Sequence, residues 1–269
     1  MENKQFPSFK MHKQIKSMIK LDFRRMFTMP LFYIMIGIAF IIPILIIVMT
    51  SMMAGTESIN PVTNEVKVME QMFTSAWQIF GTIPSQSTEM TMDVTTMCNI
   101  DMMYFAIGVL VCIFVGEDFR SGYSKCLFTV RSNKKSYVIS KTIISIVSGC
   151  LLILAFTVGA LIAAGISSLS FELIGINIVN IIMCIITKMC LVAVFTPIFL
   201  TMSVIGKQRM WLSILLALGV GMLLFMMVSI ISPLNATIMN VVLSLAGGLL
   251  FSVGLGKVSN LILKKTTLI

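Results

Sequence analysis

Charged side chains are scarce in this sequence. Of its 269 residues, 57% are hydrophobic and only 12% are charged, and the mean hydropathy is +0.99. Soluble globular domains carry about a quarter charged residues, because their surfaces must be solvated. The scarcity of charge therefore excludes a large soluble domain. It predicts an all-α membrane protein whose exposed surface is largely covered by lipid.

Residues that commonly carry chemistry are scarce as well. The single histidine, His12, precedes the apolar segments, and the six cysteines form no C-x-x-C pair. This excludes the usual spacing of a zinc site or a disulfide framework. No G-x-x-x-x-G-K-[ST] phosphate loop is present, because Thr201 and Phe251 replace the first glycine before the two Gly-Lys pairs. We therefore expect no catalytic residue, metal or cofactor in this chain.

Long apolar runs are abundant. Each comes close to the ~20 residues that cross a bilayer as a helix. We expect six spans, at about 31–53, 97–116, 142–166, 176–205, 211–231 and 237–256. The fourth run contains Lys188 and is long for one span, but its halves are short for two, so we expect one tilted or kinked helix. Residues 1–269 then form a single transmembrane domain, with an interfacial segment over 1–30 and an outer loop over 54–96.

Lysine and arginine accumulate on one side of these runs. Eighteen of the 20 basic residues lie before the first run, between the second and third, between the fourth and fifth, or after the sixth. The opposite loops contain one lysine, Lys67, and six acidic residues. Cytoplasmic flanks are enriched in lysine and arginine. We therefore expect both termini inside, in a bacterial plasma membrane, and we assign the net charge of +9 to membrane flanks, with no nucleic-acid partner.

The segment before the first run, residues 10–27, predicts an amphipathic helix. Lysines and arginines occupy one face, and the opposite face carries Met11, Ile15, Met18, Ile19 and Met26. Asp22 interrupts this apolar face. Such a helix can lie in the headgroup region. It either sets the topology as a basic flank or also forms part of a docking surface.

The outer loop contains a second helical pattern. Its apolar residues recur at helical spacing, namely Met69, Met72, Phe73, Trp77 and Phe80. The pattern predicts an amphipathic helix at the outer interface, where aromatic residues are common. A surface that meets an amphipathic substrate and a dimer contact are the two alternatives.

Two charges lie inside the predicted spans. Asp101 is near the outer end of the second, and Lys188 is inside the fourth. A charge at the centre of the bilayer costs roughly 2.5–3.5 kcal/mol on insertion scales, so an interior partner is expected. We hypothesise that the two residues pair. In the alternative, Asp101 is interfacial and Lys188 extends toward the headgroups.

The cytoplasmic segment 116–141 is longer than a connection between two spans requires. It is either a plain connector or a short helix shaped to fit a partner. It contains the sequence Glu117-Asp118-Phe119-Arg120-Ser121-Gly122, a basic stretch, and then Tyr137-Val138-Ile139-Ser140-Lys141. This order resembles the signature of ABC transporter type-2 permeases, an E-[DY]-x-x-G-T-like stretch followed by a Y-x-x-[SG]-K-like stretch. Here Tyr123 replaces the common threonine.

The resemblance implies a permease subunit of an ATP-driven exporter. It would pair with a second copy or a sister permease, and separate cytoplasmic ABC ATPase subunits would bind ATP and Mg. Residues 116–131 would then be the coupling element, with Glu117, Asp118, Phe119, Arg120 and Gly122 as its central positions. An amphipathic or antimicrobial peptide is the expected substrate, and membrane lipid surrounds the bundle. A secondary transporter and an intramembrane enzyme are the alternatives.

Overall fold

The computed structural model describes residues 8–59, 66–68, 73, 75–81, 99–130, 134–172, 177–206 and 209–266. Within this part of the chain there are eight α-helices, which we number in chain order. They are α1 (Ser8–Thr28), α2 (Pro30–Met53), α3 (Met103–Arg120), α4 (Tyr123–Val130), α5 (Lys134–Ile166), α6 (Ile178–Gly206), α7 (Met210–Ile231) and α8 (Ile238–Thr266).

Five of the described helices are long and apolar enough to cross a membrane. They are Pro30–Met53, Ile100–Arg120, Lys134–Ile166, Ile178–Gly206 and Ile238–Lys265. These correspond to five of the six predicted spans, so a multi-pass helical membrane protein is confirmed at this level. Helix α7 (Met210–Ile231) lies where the remaining span was predicted, and it is apolar over Met210–Phe225, but it is not among these five.

The third predicted span begins earlier than its sequence indicated. We expected it at residue 142, after the basic stretch, whereas α5 begins at Lys134. The fourth run, in contrast, is one helix, as expected. Lys188 does not divide α6, which continues through Pro197 to Gly206.

Helix α3 lies at the centre of the bundle and is the most buried of the candidate spans. It packs against α6 and α7, while α2 packs along α5, and α6 along α8. The contact between α2 and α5 is close because Gly159 has no side chain. A Cβ atom there would lie 2.3 Å from the carbonyl oxygen of Phe40. Small residues permit such approaches between membrane helices.

The described part of the outer segment differs from the predicted amphipathic helix. Two short strands, β1 (Glu57–Ile59) and β2 (Val66–Val68), pair antiparallel, and a 3₁₀ helix covers Ala76–Phe80. Phe73 and Phe80 are buried against the bundle instead of facing an interface. Trp77 is partly buried, and the remaining two predicted face residues, Met69 and Met72, lie outside the described residues. Phe73 and Phe80 therefore contribute to the hydrophobic core.

Helix α1 forms where the first amphipathic helix was predicted. Met18 and Met26, on the predicted apolar face, are buried. Asp22, which interrupts that face in the sequence, is buried beside them. A buried aspartate needs cationic or hydrogen-bonding partners. Those partners come from α5, the helix that also contacts the end of α3.

Candidate functional site

Four charged side chains from three helices meet at one end of the bundle. We call this the basic end, the end that carries α1, α4 and the C-terminus of α8. We call the four residues, Asp22, Arg25, Asp118 and Lys141, the ion cluster. Asp22 and Arg25 belong to α1, Asp118 to the last turn of α3, and Lys141 to the first part of α5.

Each acid of the ion cluster is contacted by a cation. Lys141 Nζ lies 2.7 Å from Asp118 Oδ2 and 3.1 Å from Asp22 Oδ1. Arg25 Nη1 lies 2.8 Å from Asp118 Oδ1. The side chains of Asp22, Asp118 and Lys141 have no exposed surface, whereas Arg25 is 31% exposed. Lys141 therefore joins α1 to α3 from its position on α5.

Neutral hydroxyl groups complete the site. The hydroxyl of Tyr137 donates to Asp118 Oδ2 over 3.0 Å, and that of Ser140 donates to Asp22 Oδ2 over 2.6 Å. Two acids and two bases make the cluster neutral, and the hydroxyls occupy further lone pairs of the carboxylates. This matters because removing one member of a buried ion pair typically costs about 3–5 kcal/mol.

Aromatic rings extend the ion cluster to α4. Lys141 Nζ lies 3.7 Å from the centre of the Phe114 ring. Arg25 Cζ lies 4.2 Å from the centre of the Tyr123 ring, at the first residue of α4. A cation over an aromatic face is attracted by about 0.5–1 kcal/mol at exposed sites, and more when desolvated. Through Arg25, therefore, the short helix α4 is attached to α1 and α3.

Two groups outside the spans have shifted pKa values in this region. Burial lowers the pKa of Arg25, but the charge of Asp118 and its hydrogen bond bring the net pKa above the ordinary value. Burial and the charge of Asp22 raise the pKa of Tyr123. Arg25 is therefore cationic and Tyr123 neutral across the physiological pH range. Ordinary changes of pH leave their contact in place.

The turn between α3 and α4 depends on Gly122. Its φ is +74°, in the left-handed region that glycine adopts most readily. The carbonyl of Gly122 accepts hydrogen bonds from the backbone N–H groups of Lys125 and Cys126. Gly122 therefore lets the chain change direction after α3, and its carbonyl accepts the first hydrogen bonds of α4.

The structure separates the five predicted coupling positions into two groups. Asp118 is fully buried, so its side chain contacts α1 and α5 and lies away from the surface. Arg120 is exposed, and Glu117, Phe119 and Gly122 are partly exposed. Asp118 is thus placed to position the segment, while the other four lie where a partner could reach them.

A second ion pair lies toward the opposite end of the bundle. Lys188 Nζ of α6 is 2.5 Å from Asp101 Oδ1, and both side chains are buried. Lys188 also donates to Ser232 Oγ, at the end of α7, over 3.0 Å. The structure thus brings together the two charges that the sequence left as a hypothetical pair, and the single contact links the start of α3 to α6 and α7.

The segment that contains Trp77 covers this end. The N–H of Ala76 donates to the carbonyl of Ser170, and Trp77 Nε1 donates to the carbonyl of Phe171. The rings of Trp77 and Phe171 are 5.8 Å apart in an edge-on arrangement. Together with the buried Phe80, these contacts attach the segment around Trp77 to the residues that follow α5.

Comparison with known proteins identified no relative of this chain. No family model, no curated protein and no solved structure matches the chain. The resemblance to type-2 permeases therefore depends on the residues quoted above. No group of three candidate metal ligands occurs among the described residues.

Sequence reasoning did not predict the ion cluster as a unit. It quoted Asp118 and Lys141 in the two stretches that carry the resemblance, but it gave Arg25 only as a basic flanking residue and Asp22 only as an interruption of an apolar face. Two signals were present in the sequence. Asp22 interrupts an otherwise apolar face, and Tyr137 and Lys141 are spaced i, i+4, which places both on one face of a helix. Neither signal named the partner helix, because pairing between distant segments requires the tertiary fold.

Proposed function

We propose that this chain is the membrane-spanning permease subunit of an ATP-driven ABC exporter. It has six spans with both termini inside, the sixth being α7, and forms the translocation path with a second copy or a sister permease. Separate cytoplasmic ATPase subunits supply ATP hydrolysis. The observation that carries this proposal is the attachment of α4 to the buried ion cluster, described above.

A coupling element needs a surface for its partner. Helix α4 has exposed positions for this purpose at Lys125, Cys126 and Thr129, and Arg120 is exposed just before it. The helix is eight residues long and joins α3 to α5 at the basic end. Its exposed side is therefore available to a cytoplasmic subunit.

A coupling element must also transmit displacement. Tyr123 at the start of α4 contacts Arg25, which contacts Asp118 at the end of α3, which contacts Lys141 on α5. Because Asp118 and Lys141 are fully buried and depend on these contacts, moving one group without the others would leave a buried charge without its partner, which is costly. A displacement of α4 is thus expected to move α1, α3 and α5 together.

ATP hydrolysis is assigned to a partner because this sequence lacks the phosphate-binding loop. ATP and Mg would bind there. The substrate class we propose is an amphipathic peptide, an antimicrobial peptide among them, exported across a bacterial plasma membrane. Contact between α4 and the ATPase would supply the mechanical link between hydrolysis and opening of the path.

A secondary transporter is the second candidate, and the buried pair of Asp101 and Lys188 favours it. Ionisable residues inside a bundle often mark ion or proton pathways. In that mechanism the pair would exchange partners during transport. No ATPase would then be needed, and transport would depend on an ion gradient.

Affinity purification of the tagged full-length chain from gently solubilised membranes separates these candidates. An ATP-binding subunit present in stoichiometric amount is expected. The double variant Arg120→Ala/Lys125→Ala, which removes two exposed charges beside or on α4, should weaken its retention by about 3- to 10-fold. The control Lys265→Ala removes an exposed charge from α8 at the same end and should retain the subunit normally.

Two further variants test coupling itself. Glu117→Ala and Phe119→Ala are expected to abolish stimulation of the ATPase while the chain still inserts into the membrane. Normal transport in both variants would overturn the assignment of 116–131 as the coupling element. Transport by the purified chain that follows an ion gradient, with no ATPase present, would replace the ABC permease with the secondary transporter.

A further inference from the structure

A cavity of about 430 Å³ lies between α5 and α8, near the basic end. On α5 it extends from Lys135 to Ile146, and on α8 from Ser252 to Asn260. Lys134 Nζ donates to the carbonyl of Leu263 over 3.0 Å, which joins the two helices beyond the cavity. The volume falls within the roughly 300–1,000 Å³ typical of small-molecule sites.

Most of the cavity wall is apolar and faces outward from the bundle. Its apolar side chains are Val138, Ile139, Ile143, Ile146 and Val253. Ile143 is 39% exposed and Val253 is 59% exposed. In a membrane this face meets hydrocarbon, so the cavity is open to lipid from the side.

One end of the cavity is polar and positively charged. Lys135 and Lys257, both exposed, flank it, and none of its lining residues is acidic. Asn260 also lines it and is only 7% exposed. In the described part of the chain, the amide oxygen of Asn260 has no hydrogen-bond partner. A buried polar atom without a partner points to a ligand or an ordered water at that position.

We propose that this cavity binds an anionic phospholipid of the leaflet at the basic end. One acyl chain lies along the apolar wall, and the phosphate lies between Lys135 and Lys257. The amide oxygen of Asn260 accepts a hydrogen bond from a hydroxyl group of the lipid headgroup, such as phosphatidylglycerol carries. The proposal does not depend on the proposed transport function.

Charge complementarity selects this occupant. Lys135 and Lys257 give this end of the cavity two positive charges, and an anion between them is attracted by both. A purely apolar occupant would leave Asn260 unpaired, and a free anion would leave the apolar wall uncovered. An anionic lipid whose headgroup carries a hydroxyl group matches both ends, and basic pockets between membrane helices bind anionic headgroups.

The test uses the purified full-length chain in detergent and native mass spectrometry. Phosphatidylglycerol and phosphatidylcholine with the same acyl chains are added in equal amounts, and bound lipid is counted. Each lysine near an anionic group contributes about five-fold in affinity, so we expect a preference for phosphatidylglycerol of about 30-fold. Lys135→Gln and Lys257→Gln should each lower the preference for phosphatidylglycerol about five-fold. The double variant should bind the two lipids equally.

Matched glycine variants test the cavity. Gly256 lines the cavity, where a new Cβ would make only ordinary contact with Val138. Gly256→Leu should therefore fill the space and reduce retention of both lipids. Gly254→Leu is the control, because nothing lies within 4 Å of its added Cβ and it is not among the lining residues. Thermal unfolding of both variants checks that they fold.

Several results would overturn the proposal. An unchanged lipid count in Gly256→Leu would exclude the cavity. An equal loss in Lys125→Gln, on α4, would assign the binding to diffuse attraction by the basic end. A change of oligomeric state in Gly256→Leu without loss of lipid would assign this face to a second copy of the chain. Inorganic phosphate that displaced the lipid would assign the lysines to a free anion.

A measurement on the unaltered chain completes the test. Phosphatidylglycerol that carries a photoreactive group on its acyl chain is bound and irradiated, and the modified peptides are sequenced. Adducts within 135–146 and 252–260 are expected. Adducts found only on other helices would place the lipid elsewhere and overturn the proposal.

Discussion

Asp22 Oδ1 of α1 lies 3.1 Å from Lys141 Nζ of α5, and neither side chain has any exposed surface. The first of these residues precedes every predicted span, and the second was expected in a cytoplasmic loop. Their contact makes the helix before the first span part of the packed bundle. It also places a neutral group of four charges directly behind α4.

Breaking this contact should destabilise the protein strongly. Asp22→Asn leaves Lys141 with one fewer counter-charge in a buried site, and we expect a loss of about 3–5 kcal/mol in the free energy of unfolding. The exposed neighbour in the same helix supplies the control, and Lys20→Gln should change stability by less than about 0.5 kcal/mol. Thermal unfolding in detergent measures both. Equal stability of the two variants would contradict the structural role of the ion cluster.

The ion pair of Asp101 and Lys188 predicts losses of different size for different substitutions. Asp101→Asn and Lys188→Met each leave a buried charge without its partner, so each should cost about 3–5 kcal/mol. Ser232→Ala removes only one hydrogen bond to Lys188 and should cost about 1 kcal/mol. The double variant Asp101→Asn/Lys188→Met should recover part of the loss, because no charge is left unpaired. Additive losses in the double variant would show that the pair does not couple the two helices.

Cys126 offers a test of orientation. It is exposed on α4, whereas the other described cysteines are buried or partly buried. A membrane-impermeant maleimide should modify it in inside-out vesicles and leave it unmodified in right-side-out vesicles. The signal is assigned by its disappearance in Cys126→Ser. Labelling from the outer side would contradict the proposed position of both termini inside the cell.

The close approach of α2 and α5 makes a fourth prediction. In Gly159→Ala the added methyl group would lie 2.3 Å from the Phe40 carbonyl oxygen, so α2 and α5 must move apart. We expect a loss of about 1–3 kcal/mol, typical of overpacking. Gly165→Ala is the matched control in the same helix, because nothing lies within 4 Å of its new Cβ. It should be neutral or slightly stabilising, since alanine favours helix more than glycine does.

The fold was predictable where the residues of one segment are enough to determine whether it lies in water or in lipid. Apolar runs long enough to cross a bilayer form helices because an unpaired backbone group in lipid costs several kcal/mol. Five of the described helices match predicted spans for this reason. The start of α5 was not predictable in this way. Charged residues were used as boundaries, and the tertiary partners of Lys141 allow it to lie inside a helix of the bundle.

The candidate site likewise has features that the sequence determines and features that only the tertiary structure determines. Composition and hydropathy alone determined that the chain is a helical membrane protein, because the transfer of each segment from water to lipid depends on its own residues. Only the tertiary structure decided that Asp118 contacts α1 and α5, that Asp22 is buried beside it, and that Lys188 meets Asp101. A buried charge offsets the cost of leaving water only when a partner lies in direct contact with it. Which charges pair is therefore set by which helices pack together.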